Sequence, residues 1–321
     1  MMSKHAARER AKRAPSHSLI ERLPAPLRPW YQAARPRSLP ATYAALLTGG
    51  AVALEAGVFE PVRFLLALIG ALLLQIASNL VNEYVDFQRG TDALKVAGMG
   101  MVLREGKLSA QQVLIGAVAT TVGGALIGLL LVALSGTTLL FIGMIGVAAV
   151  VLYTAGPLPL SHIGLGEVTA FLCFGPLMTF GTYYAVSGQE SMQALLTGVP
   201  LGFTVAAILH ANNMRDIEAD RAANKRTLAV RFGLRGAYIE FSVLIYGAYV
   251  SLGALILAGA LPLTTAIALV TLWEAIWLVR VTARSRDVQA LHRAQGRTAR
   301  LHWWFGLALS FGWLLAGVLK S

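Results

Sequence analysis

The stretch Val62-Arg63-Phe-Leu-Leu-Ala-Leu-Ile-Gly70-Ala-Leu-Leu-Leu-Gln75-Ile-Ala-Ser-Asn79-Leu-Val81 is mostly apolar. It then turns polar in Asn82-Glu83-Tyr84-Val-Asp86-Phe-Gln-Arg89-Gly90-Thr-Asp92. A helix of about 20 apolar residues crosses a hydrocarbon core, and the run is far too long for a barrel strand. The reading is a membrane helix whose last turns carry a polar stripe. Asn79, Glu83 and Asp86 follow one another at i, i+4 and i+7 and so share a face. Gly90 is placed to end the helix.

Eight more apolar segments lie near 41–58, 111–134, 137–153, 166–187, 192–212, 237–259, 262–281 and 301–319. Together they predict an all-α, multi-spanning membrane protein with about nine transmembrane helices. Gly and Ala are frequent inside them, as close helix packing in lipid favours. Of 321 residues 56% are hydrophobic and 13% charged, against about 25% charged in a soluble domain. That balance excludes a soluble enzyme and a disordered chain. Cys173 stands alone, which excludes an internal disulfide framework. Residues 1–40 read as a basic, Pro-containing tail and interfacial segment without a signal-peptide core. Residues 41–321 read as a single transmembrane domain.

The net charge of +11 does not imply nucleic acid, because the cations are clustered between apolar runs. With the N-terminus in the cytoplasm and strict alternation, 25 of the 27 Lys and Arg fall on the cytoplasmic side; Arg63 and Lys320 do not. The positive-inside rule predicts such asymmetry. A bacterial plasma membrane is the simplest location.

A second polar cluster closes the sixth segment: His210-Ala-Asn212-Asn213-Met-Arg215-Asp216-Ile-Glu218-Ala-Asp220-Arg221, then Asn224-Lys225-Arg226-Thr227. His210, Asn213, Asp216 and Asp220 are spaced for one helical face, with Glu218 turned to solvent. The two clusters sit half the membrane portion apart, so the domain reads as two similar halves that face each other across one cavity. Acids at a membrane boundary need counter-charge. Hard oxygen ligands suit Mg²⁺, which completes its shell with water and substrate phosphate. A diphosphate held by Mg²⁺ and basic residues fits this set, with Arg89, Lys95, Arg104, Lys225 and Arg226 as candidate partners. Asn79 and Asn213 would face the substrate. Tyr153 and Phe87 are candidate wall residues. Tyr183, Tyr184, Trp303, Trp304 and Trp313 read as interfacial anchors, or in the case of the tryptophans as packing.

At these residues the chain resembles the UbiA superfamily of membrane prenyltransferases. Asn82-Glu83-x-x-Asp86 with Asp92 is similar to the family's first aspartate motif, and Asp216-x-x-x-Asp220 to its second. Arg35-Pro-Arg37-Ser-Leu-Pro40, Tyr153-Thr-x-Gly-Pro157 and Gly164-Leu-Gly166-Glu167 resemble the menaquinone branch. The likeness runs over roughly residues 30–320. It implies nine helices around a central cavity open to the cytoplasmic side, and transfer of a polyprenyl group from its diphosphate to an aromatic acceptor. In the menaquinone branch that acceptor is 1,4-dihydroxy-2-naphthoate. It further implies metal–diphosphate roles for Asn82, Glu83, Asp86, Asp216 and Asp220, with Lys225 and Arg226 as a basic pair. Glu83 replaces the usual Asp, and Val96–Met101 lacks an Arg/Pro-rich character. Another aromatic or lipid acceptor, an ion-coupled transporter and a CDP-alcohol phosphotransferase are the rival readings.

Overall fold

The helices begin and end where local chemistry satisfies their free backbone groups. The computed structural model describes residues 22–36, 38–90, 100–153, 159–284 and 288–320. A short helix α1 (Arg28–Ala33) leads into α2 (Pro40–Glu55) and α3 (Pro61–Gln88). Pro40 and Pro61 open these two helices, where a missing N–H costs nothing. Gly90, at φ +69°, closes α3. Helix α4 (Ala110–Ser135) starts with a capping box, in which Ser109 and Gln112 satisfy each other's backbone amides. It is followed by α5 (Thr138–Leu152) and α6 (Gly166–Leu172). A π-helical turn, Cys173–Leu177, joins α6 to α7 (Met178–Ser187) without a break. Then come α8 (Met192–Arg215), the short α9 (Ile217–Ala222) and α10 (Leu228–Leu257), which turns a corner at Gly233. A 3-10 helix, Leu263–Thr271, runs into α11 (Leu272–Arg284), and α12 (Val288–Lys320) ends the chain. No strand occurs among the described residues.

All nine apolar segments are helical, and six helices are long and apolar enough to cross a membrane. The polar residues between the last two segments depart from expectation. Much of 280–300 is helix rather than loop, because α12 begins at Val288 and carries its charges on an extension. Arg297 secures that extension by a bidentate pair with Glu274 (2.6 and 2.7 Å), its guanidinium lying 3.5 Å from the centre of the Trp277 ring.

Helices α2, α8, α10 and α12 form the main core, with Leu201, Met214, Phe241, Phe305 and Trp313 fully buried. Inter-helix hydrogen bonds add to it: Thr48 with Ser310 at 2.9 Å, and Thr204 with Nδ1 of His302 at 2.7 Å. The outer faces of α4 and α5 expose Val122, Leu126, Phe141 and Met144, as a surface solvated by lipid does. Tyr183 and Tyr184 are buried rather than anchored at an interface, and so is Trp313. The C-terminal end of α7 packs against α2, which covers both tyrosine rings.

At the crossing of the π turn with α8 the backbones nearly touch. A Cβ on Gly198 would lie 2.5 Å from the carbonyl oxygen of Gly175. Gly198→Ala is expected to lower stability by about 1–3 kcal/mol through overpacking. Thermal unfolding of the detergent-solubilised variant checks this.

Candidate active site

A cavity of about 460 Å³ lies between the helices. One end is polar. Gln75, Ser78, Asn79, Asn82 and Asp86 reach it from α3; Asn212, Asn213, Arg215, Asp216 and Asp220 reach it from α8 and α9. Its walls then become apolar, with Leu74, Gly124, Gly128, Ile142, Phe174 and Met178 among them.

The two acidic clusters meet at Lys225. Its Nζ lies 3.6 Å from Oδ1 of Asp86 and 3.8 Å from Oδ1 of Asp220. Asp86 is 2% exposed and Asp220 5%. The turn that delivers Lys225 is fixed by its backbone. Asn224 adopts φ +54°, a conformation Asn tolerates better than most residues. The amide of Lys225 donates to the carbonyl of Asp220, and that of Arg226 to the carbonyl of His162.

Asp216 stands where α8 stops, at φ −100° and ψ 13°. The break turns the chain, so α9 starts in a new direction and the expected single helical face is divided there. Arg215 folds back onto Asp216 with two bonds, Nε to Oδ1 at 2.7 Å and Nη2 to Oδ2 at 2.5 Å. The same guanidinium donates to Asn212 Oδ1 at 2.6 Å and to Gln295 Oε1 at 2.7 Å. A bidentate pair of this kind fixes direction as well as charge.

Other expected residues are placed differently. Glu83 does not line the cavity, although it is fully buried. Its Oε2 accepts from Nη2 of Arg35 at 3.0 Å and from the amide of Met101 at 2.9 Å; Oε1 accepts from the amide of Leu103 at 3.4 Å. A metal-ligand role for Glu83 is therefore corrected: both its oxygens are turned to Arg35 and the 100–103 backbone, away from Asp86. Gly100 is required there, because at φ +90° a Cβ would lie 2.3 Å from the Glu83 carboxylate. Arg89, Arg104 and Arg226 are exposed and lie outside the cavity wall. Phe87 is also exposed, on the outer side of α3. Asn79 lines the cavity and also donates to the carbonyl of Ala34 at 2.9 Å. Tyr153 lines it as well. Glu218 faces solvent, paired with Arg221 at 2.7 Å. Asp92, Lys95, Arg37 and residues 154–158 lie outside the described residues.

The cavity also takes residues to which no role was assigned from the sequence, chiefly Arg35, Arg215, Ser161 and Gln295. Arg215 carried a signal in its position beside Asp216, while nothing near Gln295 marked it. Beyond the membrane-spanning segments, Lys107 bonds Glu105 and holds that carboxyl below the usual carboxylate range.

The buried acids gathered around one lysine at the end of a largely apolar cavity define a membrane-embedded helical protein built to hold a charged head group beside an apolar tail. A profile of the UbiA prenyltransferase family matches residues 42–306. The chain belongs to the UbiA prenyltransferase family. It is 34% identical over 277 residues to the 1,4-dihydroxy-2-naphthoate octaprenyltransferase of Escherichia coli, covering 84% of this chain and 90% of the relative. To the protein of the same name from Bacillus subtilis it is 30% identical over 286 residues, with 89% and 92% covered. A UbiA homolog from Archaeoglobus fulgidus bound to DMAPP and Mg²⁺ shares the fold, with a TM-score of 0.56 at 17% identity over 87% of this chain and 99% of that one.

Glu83→Ala is expected to cost about 1–3 kcal/mol, by leaving Arg35 and two backbone amides without their acceptor. Faster hydrogen exchange at the Met101 and Leu103 amides is the measurement that checks it.

Proposed function

We propose that the protein transfers a polyprenyl group from its diphosphate to 1,4-dihydroxy-2-naphthoate, releasing diphosphate and CO₂. The observation that carries this reading is the meeting of Asp86 and Asp220 at Lys225, at the polar end of a cavity whose other walls are apolar. The relatives' names supply the acceptor.

The donor set at the polar end fits Mg²⁺. Asn82, Asp86, Asp216 and Asp220 offer only hard oxygen atoms from two facing elements. These four residues would hold the metal, which when bound supplies charge neutralisation for the departing diphosphate. Lys225 adds a positive charge at the same point and orients the phosphate oxygens. Arg215 holds Asp216 in one rotamer, so that its carboxylate is positioned before substrate arrives. The apolar walls take the prenyl chain and keep water from the allylic carbon as its bond to oxygen lengthens. Tyr153 presents an aromatic wall to that carbon, where a cation–π contact contributes about 1 kcal/mol. The ring carbon of the acceptor bonds to the allylic carbon as the C–O bond to diphosphate breaks. Departure of the carboxylate as CO₂ restores aromaticity.

The same reading extends to the membrane. The domain spanning residues 41–321 would cross it nine times as two similar halves, with the polar end of the cavity open to the cytoplasm of a bacterial cell. The clustering of Lys and Arg between the apolar segments supports that orientation.

The test is an assay of purified protein with Mg²⁺, radiolabelled geranylgeranyl diphosphate and a panel of acceptors. Lipid-soluble product is expected with dihydroxynaphthoate and is lost on adding EDTA. Product only with a different acceptor would reject the naphthoate assignment, and absence of diphosphate binding would favour a transporter. Asp86→Ala is expected to reduce turnover at least 100-fold without shifting the unfolding temperature. Lys225→Met is expected to weaken prenyl diphosphate binding about tenfold, a loss of one charge-assisted contact, as measured by calorimetry.

A further inference from the structure

A second cluster of ionisable side chains lies outside the cavity wall. Glu167 begins α6, His210 is on α8 and Glu240 is on α10, and one ligand atom from each lies within 4.8 Å of the other two. His210 is fully buried and Glu167 is 4% exposed.

The hydrogen bonds determine where the imidazole proton sits. Nε2 of His210 is 2.9 Å from the carbonyl oxygen of Ala237. A carbonyl only accepts, so Nε2 carries the hydrogen, and in the neutral ring Nδ1 offers a lone pair. Nδ1 faces Oε1 of Glu167 at 3.0 Å and Oε1 of Glu240 at 3.4 Å. Three acceptors thus converge on one point, and something positive must lie among them. Among the described residues no Lys or Arg pairs with either glutamate.

A proton on Nδ1 answers this only in part. It leaves the cluster one negative charge in excess, and the Oε2 atoms of both glutamates stay buried without partners. A divalent cation neutralises the cluster and can engage those oxygens. The spacing also suits it: around an ion with bonds of about 2.1 Å, adjacent ligands sit about 3.0 Å apart in octahedral and about 3.4 Å apart in tetrahedral geometry. The outer contacts complete the pattern. A metal-bound histidine commonly donates its other N–H to a carbonyl, and ligating carboxylates are themselves hydrogen-bonded, as Glu167 is by Asn213 at 2.9 Å.

We propose that Glu167, His210 and Glu240 bind a first-row divalent transition-metal cation, at a site separate from the diphosphate end of the cavity. One nitrogen among oxygens favours such an ion over Mg²⁺. Bound there, it ties α6, α8 and α10 together beneath the second acidic cluster. Through Glu167 it also holds Asn213, which lines the cavity.

The test is titration of the chelator-stripped, full-length protein with Co²⁺, in the absence of any prenyl diphosphate or acceptor. Its outcome is therefore independent of the prenyl-transfer assay. The wild type and Asp86→Asn are each expected to bind one equivalent and to develop the visible absorption of a nitrogen-ligated Co²⁺. Glu240→Gln and His210→Gln are expected to lose at least tenfold in affinity. Should His210→Gln fail to elute as a folded species, Glu240→Gln, at a less buried position, carries the comparison, and Glu240→Asp should restore binding in part. Binding that disappears in Asp86→Asn and persists in Glu240→Gln would overturn the proposal. So would the absence of bound Co²⁺ in the wild type, which would leave a proton as the occupant.

Discussion

The structure depends on one electrostatic requirement: carboxylates that converge in a water-poor cavity must be given positive charge. Lys225 meets it for Asp86 and Asp220 together, and Arg215 meets it for Asp216. Both cations come from the same short stretch as the acids they serve. The stretch must therefore leave the helical path twice, at Asp216 and at Asn224. A continuous helix would have sent Arg215 about 100° away from its neighbour. The irregular backbone is what allows adjacent residues to face each other.

The remaining architecture supports that convergence. Helix α3 brings the first cluster from one side, and α8, the most enclosed of the long helices, brings the second from the middle of the core. Glu83 has a structural part in this. By gathering Arg35 and the amides of Met101 and Leu103, it fastens the segment after α3 against the helix that carries Asp86. Buried charge is thus used in two ways on one helix, once to build a loop and once to line a cavity.

The helices were legible in the sequence because a membrane helix needs little beyond length and apolar content. Their polar extensions were less so. Residues 288–300 are charged, and low hydropathy looks the same in a loop as in a helix that has left the membrane. The meeting of the two clusters was inferred from their matching positions, and Lys225 is the contact that joins them. Glu83 was misassigned because helical spacing places residues on a face without saying what covers it. Arg35 and the 100–103 backbone cover it, from segments distant in the chain. His210 was drawn onto the wrong face for a related reason. The stripe through Asp220 supposed an unbroken helix, and the turn at Asp216 frees α8 to direct His210 toward α6 and α10.

The π turn at Cys173–Leu177 has a consequence for how this chain tolerates insertion and deletion. Thr169, Cys173, Leu177, Gly181 and Ala185 all face the cavity, at a constant interval of four. In a regular helix that interval drifts about 40° per step, and the stripe would wind away from the cavity. The wider turn absorbs part of the drift, and Pro176, which has no amide hydrogen, sits within it. The five residues act as a phase-setting element between α6 and α7. Loss of a single residue there would restore ordinary helical winding and rotate everything beyond it by about 100°. The segment is therefore far less able to change its length than its side chains, and the reading frame of the cavity wall is kept by a count of residues.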